Sequence, residues 1–100
     1  MGAKFRVNTG TVRQKADSLE EFNTRFHNSV NALRDQNLNL GSKWEGDART
    51  AFNNEFIKDM DKFDNFYTGI MKFVQALRTD CDNYDKTEAQ NTQIASTRTS

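Results

Sequence analysis

The sequence contains no proline and only five glycines among its 100 residues. Because proline breaks helices more strongly than any other residue, its absence allows long uninterrupted helices. A single cysteine, Cys81, excludes a disulfide within the chain. The only histidine, His27, is expected at the surface of a different helix from Cys81. Neither a metal site nor a nucleophile–base pair is therefore expected.

The chain also lacks an excess of charge and any long apolar run. Its 14 Lys and Arg residues balance its 14 Asp and Glu residues, so nucleic-acid binding is not expected. No segment approaches the roughly 18 consecutive apolar residues of a membrane span. Residues 1–10 lack the apolar core of a cleavable signal peptide. No glycine-rich phosphate loop occurs, and the acidic residues are spread as on solvated helix faces, so we predict neither an enzyme nor a bound cofactor.

The first half of the chain contains apolar residues at a regular spacing. The steps alternate between four and three residues, which is the 3.5-residue repeat of packed helices. This repeat predicts a helix over about residues 11–40. Thr11 with Gln14 forms a possible capping box at its start, and Thr9 is a competing cap. The predicted seam consists of Val12, Ala16, Leu19, Asn23, Phe26, Val30, Leu33, Asn37 and Leu40.

The repeat breaks at residues 41–46 and then resumes. Gly41 suits the left-handed residue that ends a helix, and Asp47 is a good N-cap for the next one. The spacing predicts a second helix over about residues 47–86. Its seam consists of Phe56, Met60, Phe63, Tyr67, Ile70, Val74, Leu77, Cys81 and Tyr84, with a second stripe of Phe52, Phe66 and Phe73 beside it.

These two helices predict an all-α fold, a helix-turn-helix hairpin over residues 1–88. The remaining residues, 89–100, are nearly all polar, and Ile94 is their only large apolar residue, which predicts a disordered tail. The apolar stripe of helix two is wider than one partner helix can cover, so a second hairpin is expected to complete a four-helix bundle. Asn23 and Asn37 interrupt the seam of helix one. They either set register and partner choice or lie near the ends or edge of the bundle.

The turn carries the motif Trp44-Glu45-Gly46. The structural interpretation is that Trp44 caps the end of the hairpin core while Gly46 supplies a turn conformation. That interpretation does not exclude recognition, because a partly exposed aromatic residue at a bundle end often anchors a partner.

A second motif, Tyr84-Asp85-Lys86-Thr87-Glu88, ends helix two. Tyr84 and Glu88 are four residues apart, so a helix places them on one face. The structural interpretation is a last core residue followed by a solvated charge.

The length near one hundred residues, the two helices, the central Trp-x-Gly turn and the later Tyr-x-x-x-Glu together resemble the WXG-hundred, early-secreted-antigen-like family. The resemblance covers residues 5–88. It implies an antiparallel four-helix dimer exported by a type VII (ESX-type) secretion system, without a cleavable signal peptide. It also implies that Tyr84 and Glu88 belong to the export signal read by the secretion ATPase and that Trp44 and Gly46 form the turn pair.

The expected function is therefore that of a small, secreted or cell-surface, non-enzymatic interaction protein. Trp44 and Tyr84 are about 60 Å apart along helix two, so one chain cannot join them into one surface. In an antiparallel dimer, the turn of one chain is expected near the helix-two end of the other, and we hypothesise that only the dimer presents a complete signal.

Alternatives remain open from the sequence. The partner is itself or a related helical hairpin. In a second interpretation, the chain is an adaptor or targeting chaperone that pairs with a larger secreted helical toxin. Membrane lysis is disfavoured, because the polar faces carry no Lys/Arg excess. Cys81 is expected to be a small buried residue, with an inter-chain disulfide as the less favoured alternative.

Overall fold

The chain forms two long helices joined by a short turn. The computed structural model describes the backbone of residues 7–99 and the side chains of residues 7–94. Helix α1 runs over Thr9–Gly41 and helix α2 over Gly46–Thr99, and they pack against each other as a hairpin. The hairpin measures 81 × 21 × 19 Å. The predicted all-α hairpin is confirmed.

Helix α1 begins two residues earlier than its apolar repeat predicts. Asn8 is the N-cap, with extended backbone angles, and its side-chain oxygen accepts a hydrogen bond from the backbone N–H of Thr11 at 3.1 Å. The capping box of Thr11 with Gln14 was therefore wrong, and so was the Thr9 cap. The apolar repeat begins at Val12, a full turn after Asn8, so the repeat does not report the position of the cap.

The predicted left-handed conformation of Gly41 is wrong, and the glycine that adopts this conformation is Gly46. Gly46 has φ +65°, and it is the one described residue with positive φ. Gly41 is the last residue of α1, and Ser42 is the C-cap. The backbone N–H of Ser42 donates a hydrogen bond to the Leu38 carbonyl oxygen at 3.1 Å. Helix α2 begins at Gly46, which leaves Asp47 in its first turn rather than at the N-cap.

Helix α2 continues through Thr99, so the prediction of a helix end near residue 86 and a disordered tail differs from the structure. No glycine follows Gly69 and the chain has no proline, so nothing interrupts the backbone hydrogen bonds. Ala, Glu and Gln in this stretch also have high helix propensity. We name residues 89–94 the C-terminal extension. Among the described residues, no helix is apolar enough to cross a membrane.

The core is a narrow line of side chains along the predicted seams. Ala16 and Val30 of α1 and the α2 residues Met60, Val74 and Cys81 are buried. Three predicted seam residues, Leu33, Leu40 and Phe63, are exposed by more than a third. Two helices cover each other only along their line of contact, so seam residues at its margin stay accessible to solvent.

Asn23 is the one buried polar side chain among the described residues. Its side-chain nitrogen donates a hydrogen bond to the Tyr67 carbonyl oxygen at 3.0 Å, and its side-chain oxygen has no partner in the hairpin. Asn37 is half-buried. Asn23 therefore lies in the core and ties one level of α1 to one level of α2, as a register-setting residue does.

Candidate functional site

Trp44 lies at the closed end of the hairpin, against the first turns of α2. Its ring packs edge-on against Phe52 at 4.7 Å between ring centroids, and Phe52 stacks on Phe56 at 5.9 Å. The backbone N–H of Trp44 donates to the Gly41 carbonyl oxygen at 3.1 Å. The side chain of Trp44 remains 39% exposed. Trp44 thus both caps the core and presents an aromatic surface to solvent.

The two glycines of this turn have different physical roles. A Cβ atom at Gly46 would meet nothing within 4 Å, so Gly46 is favoured for its positive φ alone. A Cβ atom at Gly41 would lie 2.9 Å from Cε1 of Phe52, so Gly41 is required for space. The Phe52 ring, in contact with Trp44, can approach the end of α1 this closely only because Gly41 has no side chain.

Tyr84 lies near the open end of the hairpin, where α1 begins. It is half-buried, and its hydroxyl oxygen accepts a hydrogen bond from the backbone N–H of Val7 at 3.1 Å. Glu88 follows one turn later on the same face and is also half-buried. Glu88 has no ion-pair partner among the described residues. The predicted export pair therefore shares one partly open face.

A polar cluster next to Tyr84 holds the two helices together, and the apolar repeat gives no signal of it because its members are far apart in sequence. Asp85 accepts a hydrogen bond from the Thr9 hydroxyl at 2.8 Å and another from Arg13 at 3.1 Å. Arg13 also pairs with Asp82 at 2.8 Å. The Thr9 hydroxyl, followed by Arg13, lowers the pKa of the Asp85 carboxyl, and the hydrogen bonds to Asp82 and Asp85 raise the pKa of Arg13. These contacts hold the start of α1 beside Tyr84.

Further ion pairs follow the same edge of the hairpin, which we name the ion-paired edge. Arg78 donates to Glu20 at 2.9 Å and to Asp17 at 2.7 Å. These bonds raise the pKa of Arg78, and Arg78 lowers the pKa of Glu20. Arg34 pairs with Asp64 at 3.2 Å nearer the turn. Both members of every pair come directly after a seam residue of their helix. These positions lie on the same side of the seam, so the ion pairs bridge only one edge of the hairpin.

The opposite edge carries aromatic rings, and we name it the aromatic edge. Phe26 contacts Phe63 at 5.8 Å and Phe66 at 5.2 Å, and Phe22 stacks on Phe26 at 6.4 Å. Phe66 is 50% exposed and Phe73 is 54% exposed. The predicted stripe of Phe52, Phe66 and Phe73 is thus half-buried at the turn and open to solvent farther along α2. One edge of the hairpin is closed by charge pairs, and the other leaves apolar surface uncovered.

Cys81 and His27 have structural contacts. Cys81 is buried as predicted, and its thiol approaches the Thr9 carbonyl oxygen at 3.9 Å. His27 is not simply at the surface: it is half-buried and stacks on Tyr67 at 4.2 Å between ring centroids. The expectation for His27 was wrong because the position next to a seam still contacts the facing helix.

The comparison with known proteins agrees with these features. A family model described as proteins of 100 residues with WXG matches residues 4–89, a span that contains the Trp44 turn and extends just beyond Glu88. No curated protein and no solved structure matches the chain. Proteins of this family are small, helical and non-enzymatic, and they are secreted through type VII systems. The chain, with its Trp-x-Gly turn between two long antiparallel helices, belongs to the WXG100 family.

Proposed function

We propose that the protein is a secreted interaction protein, exported as a folded dimer by a type VII secretion system. Its export signal consists of Tyr84 and Glu88, and the Trp44–Gly46 turn contributes to recognition. The membrane-side partner is the secretion ATPase. The observation that carries the proposal is the family match over residues 4–89, which includes both motifs in their expected order.

The geometry of Tyr84 supports a recognition role. Its hydroxyl reaches the backbone of Val7, so it contributes to holding the chain ahead of α1, but the ring is only half-buried. Glu88 carries a charge that no described residue neutralises, and a carboxylate in that state is available to a basic or amide donor of a receptor. Tyr84 with Glu88 thus presents an aromatic ring and a carboxylate one helical turn apart.

The dimer is proposed because the aromatic edge is uncovered in the hairpin. Phe66 and Phe73 each leave about half of their surface in water. Burial of apolar surface contributes roughly 25 cal/mol per Å², so covering this edge with another helical hairpin is favourable. An antiparallel arrangement brings the Trp44 end of one chain to the same end of the bundle as Tyr84 of the other.

Secretion of single variants from a host with a type VII system tests the export signal. We expect Tyr84→Ala and Glu88→Gln to remain in the cell at normal abundance, because receptor contacts and not folding are lost. Tyr84→Phe keeps the ring and removes only the hydrogen bond to Val7, so it separates the two roles of Tyr84. Tyr67→Phe is the matched control, since Tyr67 packs in the seam against His27 outside the motif.

The thermal unfolding midpoint of each purified variant completes that experiment. The proposal requires that loss of export exceed any loss of folded protein. If Tyr84→Ala unfolds the chain and Tyr84→Phe is exported normally with wild-type stability, Tyr84 has a structural role only. Normal export of Glu88→Gln would remove Glu88 from the signal.

A second candidate function follows from the same aromatic edge. It equally suits a non-identical helical partner, for which this chain would be an adaptor or targeting chaperone of a larger secreted toxin. Light scattering on the chain expressed alone separates the two functions. A stable species of twice the 11.5 kDa chain mass favours the self-associating substrate, whereas an aggregating single chain favours the adaptor.

A further inference from the structure

Three polar contacts between the two helices meet at the open end of the hairpin. The backbone N–H of Val7 donates to the Tyr84 hydroxyl oxygen at 3.1 Å, and the Thr9 hydroxyl donates to Asp85 at 2.8 Å. Arg13 binds Asp85 at 3.1 Å. We name these three contacts the clasp. Each of them joins the start of α1, or the residue ahead of its cap, to one of the first two residues of the motif that begins with Tyr84.

Asp85 lies between the two proposed signal residues but is directed to α1. Neighbouring residues of a helix do not share a face, so Asp85 stands beside the face that carries Tyr84 and Glu88. Both of its carboxyl oxygens are occupied from α1. Oδ1 accepts the hydrogen bond from the Thr9 hydroxyl, and Oδ2 accepts that from Arg13. The Asp85 carboxylate therefore acts within the hairpin.

The clasp leaves the binding groups of Tyr84 and Glu88 open. The Tyr84 hydroxyl accepts a hydrogen bond from Val7, and no described residue accepts its hydrogen, so this hydroxyl is still able to donate. Glu88 lies three residues, or about 4.5 Å, beyond Asp85 along α2. Because Asp85 is level with Thr9, the first residue of α1, Glu88 lies just outside the clasp, where α2 continues past the start of α1.

The clasp is too exposed to be a main source of stability. The side chains of Arg13 and Asp85 are 38% and 50% exposed, and ion pairs this exposed contribute little to the free energy of unfolding. Their effect is local. The first turn of a helix lacks backbone partners for its N–H groups and frays easily, so contacts with a second helix help to hold it in place. The clasp therefore orders the start of α1 beside Tyr84 without deciding whether the hairpin folds.

Resting on the proposed export signal, we propose that the clasp is part of that signal and that Asp85 is its positioning residue. Asp85 anchors the start of α1, and the chain so anchored presents the Val7 N–H to the Tyr84 hydroxyl. The receptor then meets a Tyr84 ring already fixed one helical turn from Glu88. Immobilising a free side chain on binding is unfavourable, so a ring that is fixed beforehand binds more tightly.

The ion pair of Arg34 with Asp64 provides an internal comparison. It joins the same two helices at 3.2 Å, and its side chains are 37% and 48% exposed, nearly as in the pair of Arg13 with Asp85. It lies nearer the turn, 21 residues or about 30 Å along α2 from Asp85. Loss of either carboxylate removes a similar ion pair, but only the loss of Asp85 releases the chain that contacts Tyr84.

Export of single variants of the full chain, from a host with a type VII system, tests the proposal. Asp85→Ala removes both acceptors of the clasp and leaves Tyr84 and Glu88 in place. We expect the ratio of secreted to cellular protein to fall about fivefold, the effect of one more side chain to immobilise on binding. Asp64→Ala is the matched control. It should be exported like the unmodified chain, with a thermal unfolding midpoint close to that of Asp85→Ala.

Substitutions at Thr9 separate positioning from direct contact of Asp85 with the receptor. Thr9→Val removes the hydroxyl at nearly constant volume and should also lower export, though by less, because Arg13 still binds Asp85. Thr9→Ser keeps the hydroxyl and should be exported normally. Thr9→Val and Asp85→Ala act on one contact, so the double variant should be exported no worse than Asp85→Ala alone.

Amide hydrogen exchange reports the position of α1 independently of export. The backbone N–H groups of Thr11 and Val12 both donate to Asn8, at the cap of α1. If the clasp holds this first turn, both amides should exchange faster in Asp85→Ala and at an unchanged rate in Asp64→Ala.

The outcomes distinguish the clasp from the signal on which it rests. Normal export of Asp85→Ala, with Tyr84→Ala retained in the cell, would overturn the clasp and leave the export signal intact. Loss of export in Asp85→Ala but not in Thr9→Val, with unchanged amide exchange, would show that Asp85 touches the receptor itself and does not position Tyr84. An equal loss in Asp64→Ala would reduce the clasp to general stability. Normal export of Tyr84→Ala would overturn the signal itself.

Discussion

The close approach of Phe52 to Gly41 makes Gly41→Ala an informative perturbation. An alanine normally stabilises a helix relative to glycine, by about 0.5–1 kcal/mol. At Gly41, however, the new Cβ would lie 2.9 Å from Cε1 and 3.1 Å from Cδ1 of Phe52. Phe52 cannot move freely, because it packs between Trp44 and Phe56. Overpacking of this kind costs about 1–3 kcal/mol, so we expect a net loss of about 1–2 kcal/mol.

Gly69→Ala is the matched control for that substitution. Gly69 also lies in a helix, but nothing occupies the space within 4 Å of its Cβ position. The same chemical change should therefore stabilise the chain by about 0.5–1 kcal/mol.

Urea unfolding at several protein concentrations measures both changes, and fluorescence gives a local readout. Trp44 is the only tryptophan, and it contacts Phe52. We expect its emission to shift in Gly41→Ala and to stay unchanged in Gly69→Ala. The reasoning is refuted if both variants are stabilised alike and the emission of Trp44 is the same in each.

Three further predictions follow from the hairpin. Gly46→Ala should lower the free energy of unfolding by about 1–2 kcal/mol, because φ is +65° at this position and a side chain disfavours that conformation. An unchanged free energy of unfolding in urea would contradict this prediction. Met60→Ala should lower the free energy of unfolding by about 2–5 kcal/mol, because Met60 is only 5% exposed. Phe63→Ala should lower it less, because Phe63 is 36% exposed. Equal losses in the two variants would place Phe63 in a covered interface. Acid should weaken the hairpin: the pKa values of Asp85 and Glu20 are lowered in the folded chain, so the unfolded chain takes up protons first as the pH falls through about 4. Stability at neutral pH should then exceed stability at pH 3, and Asp85→Asn with Glu20→Gln should reduce that difference.

The apolar repeat was sufficient to predict the two helices and their antiparallel packing. Val30, Met60 and Val74 occur at seam positions, and they are buried because a 3.5-residue repeat keeps one face of a helix against its partner. The same repeat placed Cys81 in the core. The Trp44 and Tyr84 motifs were identified from their order along the chain, and the structure places them at opposite ends of the hairpin.

Polarity was a poor guide to where α2 ends. Ile94 is the only large apolar residue after Glu88, and this polarity predicts disorder, yet the backbone continues as helix through Thr99. Helix formation depends on propensity and on the absence of breaking residues as well as on burial. The Asn8 cap was missed for a related reason, because caps act on backbone groups that the apolar repeat does not report.

The sequence by itself determined the helices, the hairpin, the motifs and the family resemblance, because each depends on spacing within one helix or on order along the chain. Only the tertiary structure decided which residues meet between helices. In the folded chain Arg78 pairs with Glu20, and Phe52 contacts the Gly41 position. Ion pairs cover one edge of the hairpin, whereas the rings of Phe66 and Phe73 remain exposed to solvent on the other. The physical reason is that a heptad repeat specifies the face of each helix but leaves the axial register between helices free. Register is set by the turn and by contacts between residues far apart in sequence, such as that of Asn23 with the Tyr67 carbonyl oxygen.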